Sequence, residues 1–358
     1  MPSINLDHLF IRMELLYNLL SEITGFLGID RLMEILSSGD YAAFKTYDGI
    51  TSLIFPIIPL LVLLELALSL IYKKPHTKVY KVNFLIYVFN RVVGRFIAIA
   101  MVVLLIGWLE PYALFHAQMT WYWFIYGYIV WEFAHYLYHY WGHKVRLFWC
   151  LHSTHHAPEN MNLSVTYAHF FLEAPYADTI RTTVCILLGV PPEMLFVIMF
   201  IDGTYGAFIH VGENLMKDGR MGFLNRFILT PSHHRVHHAK NPLYMDTNFC
   251  NLLLIWDKVF GTLQNEDDKV KIEYGITREM DSGNFMDVYF GEFVALYKDV
   301  VNAPGWKNKL LYMVKPPGWH HSGEYQLATK LRADYLQSQV AEKKMTNSVP
   351  QLKDKHSA

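Results

Sequence analysis

The chain has 358 residues and a formal net charge of −1, and its composition is 53% hydrophobic, 15% aromatic and only 18% charged. The near-neutral charge gives no reason to expect a nucleic-acid partner. The apolar composition exceeds that of an ordinary soluble domain, so we expect part of the chain to lie in a bilayer. The three dispersed cysteines, Cys150, Cys185 and Cys250, predict buried thiols in a reducing compartment rather than a disulfide framework.

Two apolar stretches in the first third of the chain are long enough to cross a membrane. Residues 1–49 mix apolar and acidic positions without a cleavable signal pattern, which predicts amphipathic helices beside the bilayer. Residues 50–72 and 84–109 are the first two predicted spans. The loop between them is rich in lysine, whereas the loop that begins at Glu110 has no lysine or arginine, so the positive-inside rule places the lysine loop in the cytoplasm.

The next two apolar segments carry the chain to and from the same membrane face. Residues 120–142 form the third predicted span, which ends on the cytoplasmic side. The tract 173–209 is interrupted at the sequence Gly189-Val-Pro-Pro192. A helical hairpin that turns there would leave the histidine-rich motifs before and after it on one face, where they could share a site.

Histidines dominate the middle of the chain, since twelve of the eighteen lie between residues 132 and 238. The first motif places three of them four residues apart, so they share one helix face with Glu132. Neutral imidazole is a common ligand of transition metals, and these motifs hold more nitrogens than one ion can use, which predicts two metals. The motifs are His135-x3-His139-x3-His143, then His152-x2-His155-His156, then His233-His234-x2-His237-His238, with His169 and His210 between the last two.

The order of these motifs resembles the fatty acid hydroxylase/sterol desaturase superfamily of integral membrane di-iron enzymes, and within it the branch that cleaves the ether bond of alkylglycerols. The further landmarks of that branch are Thr230–His238, Leu254–Thr262, Tyr274–Thr277 and Pro316–Trp319. By the resemblance, His135 and His233 are less favoured as metal ligands, and His169 is a weak candidate. It implies nine metal ligands, namely His139, His143, His152, His155, His156, His210, His234, His237 and His238.

Three polar residues are candidate catalytic residues. Asp246 and Asn248 match the family's D-x-N pattern, where a hydrogen bond to a ligand imidazole is a sensible role. Glu132 lies on the helix face of the first histidine motif. The chain departs from the family at two places: His169 stands in the stretch where many relatives carry an arginine, and Lys144 stands where an acidic residue is found.

The sequence therefore predicts an all-α integral membrane protein, a bundle of transmembrane helices with a cytoplasmic histidine-rich di-metal cap. We expect N-terminal amphipathic helices over 1–49, the membrane and catalytic domain over 50–262, a cytoplasmic cap over 263–331 and a disordered tail over 332–358. The bacterial inner membrane and the endoplasmic reticulum both fit this topology.

The expected function is the hydroxylation of a lipid alkyl chain with O2 by two iron ions. By the resemblance, the substrate is an alkylglycerol and the electron donor tetrahydrobiopterin or another reductant. Sterol desaturation, sterol C-4 methyl oxidation and fatty acyl hydroxylation are the alternatives within the superfamily. A membrane metal-binding or transport protein is the alternative outside it, although no internal repeat supports transport. Zinc in a hydrolytic or lyase site is a further possibility, because imidazole binds zinc at least as well as ferrous iron.

Overall fold

The regular structure of the described residues is helical. The computed structural model describes residues 29–45, 56–72, 77–93 and 95–348, and otherwise only single positions between 14 and 52. These residues contain two isolated bridges, between Ile228 and Leu253 and between Ala239 and Tyr274, and no longer strand. The all-α part of the predicted fold class is confirmed.

The chain divides into two compact units, residues 1–75 and 76–358. In the first unit the described helices are α1 (Asp30–Ser38) and α2 (Ile57–Ile71), with a 3₁₀ helix at Tyr41–Lys45. About half of the predicted amphipathic region, residues 1–49, lies outside the described residues. The helices of the second unit are α3 (Thr77–Val93), α4 (Arg95–Leu109), α5 (Trp121–Lys144), α6 (Arg146–His156), α7 (Glu173–Leu187), α8 (Pro192–Phe208), α9 (Pro231–His237), α10 (Ile255–Phe260), α11 (Phe285–Asn302), α12 (Gly305–Val314) and α13 (Ala328–Ser348).

The predicted hairpin is confirmed. Helix α7 ends at Leu187, and α8 begins at Pro192 after Gly189, whose φ of 78° suits glycine. A Cβ on Gly189 would lie 2.5 Å from the carbonyl oxygen of Phe115, so only glycine fits this turn. Both ends of the hairpin return to the histidines, since the ring centroids of His169 and His210 lie 4.3 and 4.9 Å from that of His155.

Other predicted segments agree only in part. The third predicted span is one helix, α5, whereas the second corresponds to two helices, α3 and α4, with bounds that shift toward residue 77. Within the described ranges, no helix combines the length and the apolar character that crossing a bilayer requires. The C-terminal stretch from residue 332 belongs to α13 as far as Ser348, where we expected disorder. Arg332 on this helix donates to the carbonyl of Leu243 and to Gln264, which attaches α13 to the rest of the unit.

Two apolar clusters hold the histidine-bearing helices in place. Helices α4, α5, α7 and α8 pack around the buried side chains of Trp131, Ile186 and Leu195. In the second cluster, helices α3 and α11 pack around Ile86 and Tyr289, and α6 contacts this cluster through Leu151. The three cysteines are buried and unpaired, as predicted. The packing fixes α5 and α6, which carry the first five predicted ligands, against each other.

Candidate metal centre

The nine histidines predicted as ligands come together in two groups of buried imidazoles. Within each group, one nitrogen of every ring lies within 4.8 Å of one nitrogen of every other ring. The first metal group consists of His139, His143, His152, His156 and His237. The second metal group consists of His155, His210, His234 and His238. The structure thus assembles every predicted ligand, and it leaves His135, His169 and His233 outside both groups.

Helical spacing explains how the motifs are shared between the two groups. His152 and His156 are four residues apart and face the first metal group from α6, whereas His155 points to the second. The third motif does the reverse, because His234 and His238 face the second metal group and His237 the first. Each of these two motifs therefore contributes to both groups.

The orientation of the rings fits a bound cation in each group. The Nδ1 atoms of His139 and His210 donate to the carbonyl oxygens of Phe249 (2.9 Å) and Gly206 (2.6 Å), and a carbonyl can only accept. Their Nε2 atoms consequently carry lone pairs. His139 Nε2 lies 3.1 Å from His152 Nε2, and His210 Nε2 lies 2.8 Å from His234 Nε2.

His152 also presents an unprotonated nitrogen to the nitrogens of neighbouring rings. Its Nδ1 lies 2.5 Å from the carboxylate of Glu173, which leaves its Nε2 unprotonated while it faces both His139 Nε2 and His156 Nε2 at 3.1 Å. Lone pairs at this distance repel unless a cation lies between them. The Nε2 atom of His237 is buried and has no hydrogen-bond partner in the described part of the chain. Neutral imidazoles in this arrangement form a donor set suited to iron or zinc.

Burial favours the neutral form of most of these imidazoles. It lowers the pKa of His143 to about 4 and that of His210 to about 3. Burial first, and then the neighbouring imidazoles, hold the pKa well below its usual range at five other members of the groups, His155, His156, His234, His237 and His238. A ligand nitrogen must be free of its proton to bind a metal, so at neutral pH the site is ready to bind one.

One loop orients three of the five imidazoles in the first metal group. We call residues 246–253 the clamp loop. Its Phe249 carbonyl accepts from His139, and its Thr247 carbonyl accepts from His237 Nδ1 at 2.8 Å. The carboxylate of Asp246 lies 3.5 Å from His143 Nδ1 and forms an ion pair with Lys144. These contacts lower the pKa of Asp246, although burial acts to raise it.

The clamp loop is itself held by two buried carboxylates. Glu132 on α5 accepts hydrogen bonds from the backbone N–H groups of Asn251 (3.2 Å), Leu252 (2.7 Å) and Leu253 (3.0 Å). Asp257 on α10 accepts from those of Phe249 (2.8 Å) and Cys250 (2.9 Å). A carboxylate that accepts several backbone N–H bonds is held firmly, so both acids fix the loop.

The three candidate catalytic residues therefore differ in their surroundings. Only Asp246 lies against a histidine ring of the metal groups. Asn248 donates to the carbonyls of His233 and Gln264 and accepts from the backbone N–H of Gln264, which ties the clamp loop to α9. Glu132 accepts hydrogen bonds from the backbone of the clamp loop. Asp246 and Asn248 adopt φ values of 57° and 59°, which non-glycine residues rarely adopt.

Glu173 and Asp257 are site residues that the sequence analysis missed. Glu173, at the start of the hairpin, accepts from His152 and from His169 Nδ1 at 2.8 Å, and the ring of His169 stacks on His155. Glu173 and His169 thereby connect the two metal groups. Asp257 lies within the Leu254–Thr262 landmark, and that position was the only available signal for it.

The two histidines that are less favoured as ligands, His135 and His233, have partners outside the metal groups. His135, one turn before His139, lies 3.6 Å from the carboxylate of Asp202. His233 forms a capping box with Thr230 at the start of α9, and its other ring nitrogen contacts Asn265 at 2.9 Å.

The fatty acid hydroxylase family model matches residues 124–262 of the chain. This segment contains all nine histidines of the two metal groups and the whole clamp loop. The resemblance that the histidine motifs indicated is confirmed.

Individual relatives are lipid monooxygenases and hydroxylases by name. Alkylglycerol monooxygenase from Homo sapiens is 34% identical over 216 residues, which are 59% of this chain and 46% of that protein. The protein of the same name from Danio rerio is 32% identical over 200 residues, 56% of this chain and 43% of that protein. Ornithine lipid hydroxylase OlsE from Rhizobium tropici is 30% identical over 158 residues, 44% of this chain and 46% of that protein. The chain spans about half the length of these relatives, and no solved structure matches it.

Proposed function

We propose that this chain is a di-iron monooxygenase of membrane lipids. The observation that carries the proposal is the pair of buried imidazole groups with unprotonated nitrogens facing one another. The family match and the names of the relatives support a hydroxylation that uses O2. An alkylglycerol is the preferred substrate, with attack at the carbon beside the ether oxygen and tetrahydrobiopterin or another reductant as electron donor.

The residues of the chain would orient the metal ligands and exclude water from the reacting atoms. Two iron ions, when bound, would supply the activation of O2 and the oxidation of an unactivated C–H bond. The clamp loop and Glu173 fix the imidazoles in one tautomer and one orientation. Burial of all nine rings excludes bulk water from the reacting atoms.

We further propose that the chain is an integral membrane protein with this site on the cytoplasmic face. Apolar side chains are exposed on several helices, including Leu63 and Leu64 on α2, Leu104 and Trp108 on α4, and Trp121 at the start of α5. Large exposed apolar surfaces mark contact with lipid or protein, and tryptophan is enriched at membrane interfaces. The lysine-rich loop before α3 supports the orientation, by the positive-inside rule.

Metal analysis combined with a product assay tests the function. We expect two irons per chain in the purified protein, with less iron in His143→Ala and His155→Ala, which each remove one imidazole from a different group. His320→Ala, at an exposed position, is the control and should keep both ions. The protein should then convert an alkylglycerol in an O2-dependent reaction detected by mass spectrometry, with a sterol and an acyl lipid as comparison substrates.

Two results would contradict the proposal. Zinc as the only metal would favour a hydrolytic site. Two irons without any O2-dependent product from these lipids would favour a metal-binding or transport protein.

A further inference from the structure

A cavity of about 490 Å³ adjoins the first metal group on the side of the C-terminal segments. Three of the imidazoles, His143, His156 and His237, form part of its wall. Residues 275–278 and 316–318 form other parts of the wall, and the start of α13 completes it. The volume of the cavity lies within the range of small-ligand sites. Its wall includes imidazoles of the first metal group and none of the second.

The charged lining of the cavity is predominantly basic. Four cations and two carboxylates line it, namely Lys144, Arg146, Lys240, Arg278, Asp246 and Glu292. Lys144 pairs with Asp246, and the two arginines share Glu292 at 3.3 and 2.8 Å. Arg146 also pairs with Asp299 at 3.9 Å and Arg278 with Asp287 at 2.8 Å, so carboxylates balance both arginines. No ion pair involves Lys240 among the described residues, and this side chain is half-buried. An anion in the cavity would meet the ammonium group of Lys240, which forms no ion pair within 4 Å among the described residues, although Glu159 and Glu279 line a neighbouring cavity with it.

The rest of the lining is largely apolar. Aromatic and aliphatic side chains are interspersed with the charges, among them Tyr140, Trp149, Ile276 and Ala295. A cavity with basic and apolar walls that ends at the imidazoles fits an amphiphile rather than a free inorganic ion. The apolar part of such a ligand would lie along the aromatic rings, while its anionic part would contact the basic side chains.

We propose that this cavity binds the phosphate headgroup of the lipid, and that Lys240 selects for it. The inference rests on the proposed function, because it takes the ligand to be the lipid substrate. With the headgroup held here, the first carbons of the alkyl chain reach His143, His156 and His237. The preferred substrate within the proposed class is therefore an alkylglycerol that carries a phosphate, ahead of the uncharged alkylglycerol.

Equilibrium dialysis against two probes tests this assignment on the purified, metal-loaded full chain without O2. The probes are 1-O-octylglycerol 3-phosphate and uncharged 1-O-octylglycerol. We expect the wild-type protein to prefer the phosphate probe and Lys240→Gln to lose about tenfold in affinity for that probe alone, because a charge-assisted contact is lost. Lys240→Arg should retain the preference, and Lys271→Gln, an exposed lysine outside the cavity, should behave as wild type.

Glycerol 3-phosphate and inorganic phosphate distinguish a lipid site from a small-anion site. Weak competition by both supports the lipid assignment, whereas displacement of the octyl probe at equal concentrations overturns it. Equal binding of the two octyl probes, or an equal loss in Lys271→Gln, also overturns it. Because no turnover is needed, a phosphate preference that depends on Lys240 but is followed by no oxidised product would reject the proposed function and keep the binding site.

Discussion

The substitution Glu173→Gln tests whether a carboxylate outside the metal groups sets the protonation of a ligand. Glu173 accepts from the Nδ1 atoms of both His152 (2.5 Å) and His169 (2.8 Å). A glutamine amide has one acceptor oxygen and one donor NH2 group, so it cannot accept from both rings in the same way. The His152 proton can then move to Nε2, the nitrogen that faces His139 and His156 at 3.1 Å.

The expected cost is a loss of metal affinity in the first metal group. Removing an outer partner of a ligand imidazole lowers metal affinity by about 10- to 100-fold, or about 1.4 to 2.7 kcal/mol. His155, His210, His234 and His238 make no hydrogen bond to Glu173, so the second metal group should keep its ion. Anaerobic titration of metal-free protein with ferrous iron against a competing chelator measures the two affinities separately.

Asp178→Asn on the same helix is the matched control. Asp178 is a buried carboxylate that pairs with Arg181 at 2.6 Å and lies outside both metal groups. This variant should lose stability without losing metal. Wild-type affinity at both sites in Glu173→Gln, or an equal loss of affinity in Asp178→Asn, would refute the tautomer argument.

Three further outcomes follow from the burial and contacts of single residues. The free energy of unfolding of the metal-free protein should fall by about 1.4 kcal/mol per pH unit for each suppressed histidine as the pH drops below about 6.5, because only the unfolded state then binds protons. For His143 the loss should level off near pH 4 and for His210 near pH 3; denaturant titrations that give a flat profile from pH 6.5 to 4.5 would count against this. Asn248→Ala removes one buried and two part-buried hydrogen bonds and should cost about 2 to 4 kcal/mol of stability, checked by denaturant unfolding at pH 7.5; a loss below about 1 kcal/mol would show that the clamp loop is anchored elsewhere. His135→Phe should keep both ions, whereas His139→Phe should lose the ion of the first metal group; equal iron contents in these two variants would contradict the assignment of ligands.

The spacing of histidines along the sequence predicts most of the membership of the metal groups. Residues four apart on a helix share a face, which is why the sequence alone assigns His139 and His143, or His234 and His238, together. The sequence could not show that His155 and His237 each join the other group. Their assignment depends on how α6 and α9 are rotated about their axes, and such a rotation is set by packing between helices, as in the contacts of α6 with α5 and α11.

The supporting residues were harder to predict, because their partners are distant in sequence. The helical spacing predicts that Glu132 lies with the histidines, yet its carboxylate binds the backbone of residues 251–253, more than a hundred positions later. The sequence predicts that Glu173 begins the hairpin, but it does not predict its contact with His152. The helical end of the chain was missed because its polar composition resembles a disordered tail, while Arg332 finds acceptors at Leu243 and Gln264 that only the folded chain brings near.

The division of each later motif between the two metal groups has a consequence for biosynthesis. About 80 residues separate His156 from His238, so at about 5 to 20 residues per second the ribosome needs roughly 4 to 16 seconds to add the last ligand. Throughout that interval both groups are incomplete, and the imidazoles already made can bind whichever transition metal is free, with copper and zinc ahead of iron in intrinsic affinity. The nascent chain is thus at its most vulnerable to the wrong metal before α9 emerges, and the correct ion can be selected only once that helix closes both groups at the same moment.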